Sequence, residues 1–301
     1  MRLVRQTDSF RSGVRGTARP ARTARTALTL LTATALAAAC SAPAPKDTEP
    51  AAGQQAAAEL RQEQRAYAAA VKRWGLAKTP LPAPPAPARK PHIPTRDGFE
   101  VDGHDGLPPV FTTIPTKDKV VFLTIDDGAE KDPAFLRMMR ELKIPYTAFL
   151  SDYLVKEDYG YFRRMGADGV SLNNHTLHHR FMPGLSYAAQ KREICGMQDV
   201  IEKRYGKRPT LFRPPYGNYN EDTLRAARGC GIKAAPLWNE EVFVDRWEYR
   251  EWDRELRPGD IVLSHFRGKE DWKGTMPDMV RRFLKLITDK GYAVARLEDY
   301  L

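Results

Sequence analysis

The sequence predicts an α/β fold: a distorted or incomplete (β/α) barrel of about seven parallel strands, preceded by a signal peptide and a Pro-rich spacer. Three observations carry this expectation. Short apolar runs alternate with helical patterns from Asp118 onward, which argues for a parallel sheet with right-handed crossovers. Polar clusters fall at the C-terminal ends of those runs, where parallel barrels place their active sites. Residues 118–301 are also fewer than the roughly 250 of an ordinary eight-stranded barrel. A doubly wound open sheet is the competing arrangement.

In chain order, residues 1–39 come first. Of the net charge of +10 (48 basic against 38 acidic side chains), seven arginines and one aspartate lie here. The basic balance therefore belongs largely to a removable segment, and no nucleic-acid surface is expected. The arginines end at Arg25 and an uncharged run follows from Thr26 to Ala39. That is the order of a signal peptide, and the run is too short to span about 30 Å of hydrocarbon. Ala37-Ala38-Ala39-Cys40 resembles a bacterial lipobox, although Leu36 sits one place early. Cys40 is accordingly the expected lipidation site, and the mature chain is expected at the outer face of the cell membrane. An ordinary cleavage near Ala39, giving a secreted protein, is the alternative.

Residues 40–117 read as a lipid-anchored tether. Residues 51–75 form a polar helix with Leu60, Tyr67 and Val71 as scattered apolar positions, and seven prolines between Thr79 and Thr95 favour an extended spacer. The folded domain is expected at 118–301. Its strand candidates are Val120 to Ile125, Tyr146 to Leu150, Val170 to Leu172, Leu211 to Arg213, Ile232 to Trp238, Ile261 to His265 and Tyr292 to Leu297. Helix signals lie between them: Asp132 before Pro133, Asn220 before an acidic turn, and Gly206 and Gly291 as stops. With Cys40 lipidated, Cys195 and Cys230 remain as a pair in an oxidising compartment, where a disulfide and two buried thiols are both admissible.

The polar clusters are Asp126-Asp127-Gly128, His175-Thr176-Leu177-His178-His179, Arg213-Pro214-Pro215-Tyr216-Gly217 and Leu263-Ser264-His265. Two adjacent aspartates alone would be read as a helix cap. Four of the six histidines share these clusters, however, which points to chemistry. Imidazoles three or four residues apart on a turn face one cation, and a carboxylate from another strand supplies a third ligand. A two-His, one-carboxylate set suits hydrolytic zinc, with non-haem iron not excluded, and spacing does not choose between His178 and His179.

Taken in order, Thr124-Ile125-Asp126-Asp127-Gly128, His175-Thr176 with His179, Arg213-Pro214-Pro215-Tyr216 and Leu263-Ser264-His265 resemble the motif series of the polysaccharide deacetylases, the NodB-homology carbohydrate esterases. The resemblance covers residues 118–301. It implies a deformed (β/α) barrel, metal ligands Asp127, His175 and His179, a base Asp126 and an acid His265. It also favours His179 over His178 and gives the Tyr216 backbone N–H a role at the developing oxyanion. Arg213 would hold Asp126 charged and oriented, against the bland reading of a surface ion pair. Leu263 and Trp238 would line a small acetyl pocket, although core packing explains both equally. One motif departs: where the family has Asp-x-x-Asp-Trp, this chain reads Asn239-Glu240-Glu241-Val242-Phe243-Val244-Asp245-Arg246-Trp247. Glu241 and Asp245 are the two carboxylates that could support His265 instead.

The expected function is metal-dependent deacetylation of an N-acetylated cell-envelope polysaccharide, with peptidoglycan as the candidate substrate and zinc as the expected metal. An O-acetyl esterase and a catalytically weak glycan-binding lipoprotein are the alternatives; retention of Asp126 and His265 argues against the second, since binding needs neither base nor acid.

Overall fold

The computed structural model describes residues 49–101 and 106–301, so the expected signal peptide and Cys40 lie outside the described residues. Its strands are β1 Val110–Phe111, β2 Val120–Asp127, β3 Thr147–Leu150, β4 Ser171–Asn174, β5 Ala235–Pro236, β6 Glu240–Val242, β7 Trp247–Tyr249, β8 Ile261–His265 and β9 Ala293–Val294. Its helices are α1 Glu49–Arg73, α2 Pro133–Glu141, α3 Asp152–Val155, α4 Tyr159–Ala167, α5 Tyr187–Tyr205, α6 Glu221–Gly229, α7 Lys269–Trp272 and α8 Met276–Asp289. None of the helices among the described residues is long and apolar enough to cross a membrane.

β2 is the central strand. It pairs in parallel with β3 and β8 along its length and with β9 at its start, and β3 continues to β4. The circuit closes through single bridges and one two-residue ladder: Asn174 to Phe212, Leu211 to Ala234, then the β5–β1 ladder, then Thr113 to Asp260 at the start of β8. A barrel joined this sparingly on one side is a distorted one. β6 adds to β8 in parallel and carries β7 as an antiparallel appendage. Near the closure, Gly259 has φ +86° and a Cβ there would collide with the Ile114 carbonyl oxygen, so the approach of the two backbones requires glycine.

Alternation along β2 sorts the core. Val120 and Phe122 face the barrel interior with Phe111, Ile114, Phe149 and Ile261. Val121, Leu123 and Ile125 face outward against Phe135 and Met138 of α2 and Met279 and Phe283 of α8. The helix signals read from sequence are realised: Asp132 accepts from Ala134 N–H, Asn220 forms a capping box with Thr223, and Gly206 ends α5 in the left-handed conformation. A disulfide joins Cys195 on α5 to Cys230 at the end of α6, which settles the pairing left open by the sequence.

The tether departs from expectation in two ways. α1 is present, but the Pro-rich stretch after it is packed on the domain rather than free. Trp74 is buried, donates from Nε1 to Glu141 (2.8 Å) and lies under the Arg137 guanidinium. Leu81 bridges Ala293, Lys90 donates to the Glu298 and Leu301 carbonyls, and Ile93 packs on the barrel core. The boundary expected at residue 118 also falls too late, because Val110, Phe111 and Ile114 are fully enclosed core residues. Composition conceals this, since few side chains anchor the segment and its main-chain pairing leaves no pattern in a proline-rich run. Trp74→Ala should lower unfolding free energy by about 3 kcal/mol in urea titration; a change within a few tenths would show a loosely attached segment.

Candidate active site

Strand register gathers the polar clusters at one mouth. Asp126 pairs with His265 across β2 and β8, and β4 ends at Asn174 immediately before His175. Asp126 follows Phe122 and Thr124 on the inward face of β2. Asp127 would face outward by alternation, but its φ of +80° turns the chain at the strand end. Thr176, His179 and Tyr216 also adopt positive φ. Left-handed conformations cost L-residues roughly 1–2 kcal/mol each, and four at one mouth mark a functional constraint.

Asp127 Oδ1 lies 3.6 Å from His175 Nε2 and 3.4 Å from His179 Nε2, and one ligand atom from each of the three residues falls within 4.8 Å of the others. Asp127 Oδ1 is buried and has no hydrogen-bond partner. A buried carboxylate oxygen left unpaired is costly, and a cation between it and the two imidazoles would satisfy it. The donor set therefore fits a divalent metal ion. Burial pulls His175 down to about 3 and lowers His179 as well, with Asp127 opposing in both, so both rings are neutral and able to ligate at pH 7. His175 Nδ1 lies 2.7 Å from the Arg213 carbonyl, which places its proton there and leaves Nε2 toward Asp127.

The structure separates His178 from His179. His178 is half exposed and turned to Glu193, with Nδ1 at 2.8 Å from Oε1 and its backbone N–H on Oε2. The His179 ring instead stacks edge-on to both His175 and Tyr216.

Arg213 is not a surface ion pair but one of the largest fully buried side chains. Its Nη1 donates to Asp126 Oδ1 (2.8 Å) and Thr124 Oγ1 (2.9 Å), Nε to the Pro236 carbonyl and Nη2 to the Leu237 carbonyl. Its guanidinium lies over the Phe149 ring at 4.4 Å. Burial raises the Asp126 pKa even against Arg213 and His265, which makes it a stronger base than a solvated carboxylate.

On the other side, His265 Nδ1 lies 3.1 Å from Glu241 Oε1, whereas Asp245 is exposed and paired with Arg246. Burial lowers the His265 pKa, but the Glu241 hydrogen bond together with Asp127 and Asp126 outweighs it, and the net shift is upward. Leu263, buried on the inward face of β8, lies below His265 opposite Thr124. Trp238 is partly buried and packs over Arg213 and against the Gly217 turn. Tyr216 is 61% exposed at the rim.

Arg267 escaped the sequence reading. Its Nη2 donates to Asp127 Oδ2 at 2.6 Å, so that oxygen is occupied and only Oδ1 is available to a cation. An arginine two residues after His265 was the available signal, but its partner is 140 positions away in sequence.

The fold and the mouth define a class: a distorted (β/α) barrel presenting an Asp-His-His triad beside a carboxylate held by arginine and a histidine held by a carboxylate. The polysaccharide deacetylase family model matches residues 113–235, and the chain belongs to that family. It is 44% identical to an uncharacterised protein of Streptomyces coelicolor over 65% of this chain and 78% of that protein. It is 30% identical to the peptidoglycan-N-acetylmuramic acid deacetylase PdaC of Bacillus subtilis, over 62% of this chain but 40% of PdaC. Among solved structures, a family 4 carbohydrate esterase from Bacillus anthracis is 25% identical with a TM-score of 0.53, covering 64% of this chain and 86% of that one.

The geometry separates the two histidines experimentally. His175→Ala should lose most bound metal on elemental analysis of the purified protein, and His178→Ala should retain a full equivalent. The opposite pattern would overturn the ligand set.

Proposed function

We propose that this protein is a metal-dependent hydrolase that removes acetyl groups from an N-acetylated cell-envelope polysaccharide, with peptidoglycan as substrate and zinc as metal. The observation that carries the reading is the unpaired buried Oδ1 of Asp127 facing two neutral imidazoles between Asp126 and His265. A divalent ion held by Asp127, His175 and His179 would supply Lewis acidity toward the acetyl carbonyl and lower the pKa of attacking water. Asp126, held by Arg213 with its pKa raised by burial, takes the proton from that water. His265, charged through Glu241, donates a proton from Nε2 to the departing amine. The Tyr216 backbone N–H, at a turn fixed by positive φ, is assigned to the developing oxyanion, with Leu263 and Trp238 assigned to the wall behind the acetyl methyl.

The relative named as a peptidoglycan deacetylase supports the substrate class. The export sequence and Cys40 support a lipoprotein on the outer face of the cell membrane, where that polymer lies. A glycan-binding protein without activity is disfavoured, because a buried Arg213–Asp126 pair and a Glu241–His265 pair are costly to keep for binding alone.

Acetate release from N-acetylated peptidoglycan, with and without a chelator, tests the reading; no release by metal-loaded protein from peptidoglycan or chitooligosaccharides would sink it. Asp126→Asn should lower turnover roughly 10²- to 10⁴-fold with metal content unchanged, since the amide cannot accept the proton. Near wild-type turnover would remove Asp126 as base. Glu241→Gln withdraws the largest of the interactions that raise the His265 pKa and leaves those of Asp127 and Asp126. An acid acts below its pKa, so the alkaline limb of the pH–rate profile should move to lower pH, while Asp245→Asn leaves it in place. An unmoved limb in Glu241→Gln would show that the acid is tuned otherwise.

A further inference from the structure

At the opposite end of the barrel, where the strands begin, lies a cavity of about 860 Å³. It opens because β4 and the 211–212 run are joined only at Asn174 and Phe212, so their N-terminal halves splay apart. The splayed strand starts and helices α4 and α5 wall it, and the docked Pro-rich segment crosses it at Lys90 to Ile93. Phe111, Leu172 and Leu211 contribute an apolar floor.

The rim is cationic. Arg163, Lys207 and Lys233 are exposed there, and among the described residues none of the three is within ion-pairing distance of an acidic group. Lys90 and Arg296 also line the recess, but Lys90 is held by the Glu298 and Leu301 main-chain oxygens and Arg296 lies beside the Glu298 carboxylate. The single acidic side chain in the wall is Glu298, whose Oε1 accepts from Thr147 Oγ1 at 2.8 Å and whose Oε2 makes no hydrogen bond but lies 3.6 Å from Arg296 Nε. Three exposed cations around a concave recess focus positive potential into it. We propose that this recess is a second, non-catalytic binding groove for a linear polyanion bearing repeated phosphodiester or phosphate groups. Several separated cations fit a chain of anions better than one phosphate, which calls for convergent donors. The concave form also favours a strand-like polymer over the broad surface of a bilayer. Such a groove would hold the enzyme on an anionic envelope polymer without obstructing its mouth.

The test uses the intact chain and fluorescently labelled inorganic polyphosphate, read by anisotropy. Binding should weaken roughly twentyfold between about 50 and 200 mM salt if three phosphates are contacted. Lys207→Glu/Lys233→Glu should weaken it at least about tenfold, and Lys207→Gln/Lys233→Gln should do so to a smaller degree. Lys72→Glu/Lys191→Glu changes net charge equally at exposed sites outside the groove and should leave binding nearly intact. The urea unfolding midpoint should stay the same in all variants, which checks folding independently of the metal and deacetylase readings. The proposal is overturned by absent polyphosphate binding, by equal losses in groove and control pairs, or by binding to phosphatidylglycerol vesicles alone.

Discussion

The mouth of this barrel depends on the buried guanidinium of Arg213. An unpaired charge of that size in the interior would be prohibitive, yet every face of this one is answered: Asp126 and Thr124 from β2, the Pro236 and Leu237 carbonyls from the β5 edge, and the Phe149 ring from β3. The same residue returns its own carbonyl to His175 Nδ1. One side chain therefore fixes the Asp126 carboxylate and one backbone oxygen fixes the tautomer of His175. Removing one side of a buried pair generally costs about 3–5 kcal/mol, so structure and chemistry here cannot be varied separately.

How much of this was legible in the sequence can be judged from particular residues. All seven apolar runs mark real barrel strands or bridges, because burial on both faces writes a continuous signal. β1 was missed: two residues held by backbone pairing to β5 leave no periodicity to read. β6 and β7 were missed because Glu240 and Glu241 look like surface residues, although Glu240 is buried and Glu241 turns to His265. The Pro-rich segment reads as a free spacer for a related reason, since its attachment rests on Trp74, Leu81 and Ile93 amid residues of low information. In the site, spacing left His178 and His179 equivalent, and Glu193, fifteen residues further on, separates them in space by claiming His178.

Asp126 and Asp127 are chemically identical neighbours and still receive different environments. Alternation sends Asp126 inward to Arg213, where burial strengthens it as a base. The left-handed turn at Asp127 places the second carboxylate among the imidazoles, and Arg267 occupies one of its oxygens. With Oδ2 engaged, Asp127 offers a cation a single atom, which leaves coordination positions open to water and substrate. A residue obeying ordinary strand geometry at 127 would point into the packed helices behind β2, where Ile125 lies. The backbone strain at that position is thus what gives a repeated residue two environments, and it is held by a core in which Phe122, Phe149 and Ile261 keep β2, β3 and β8 in register beneath it.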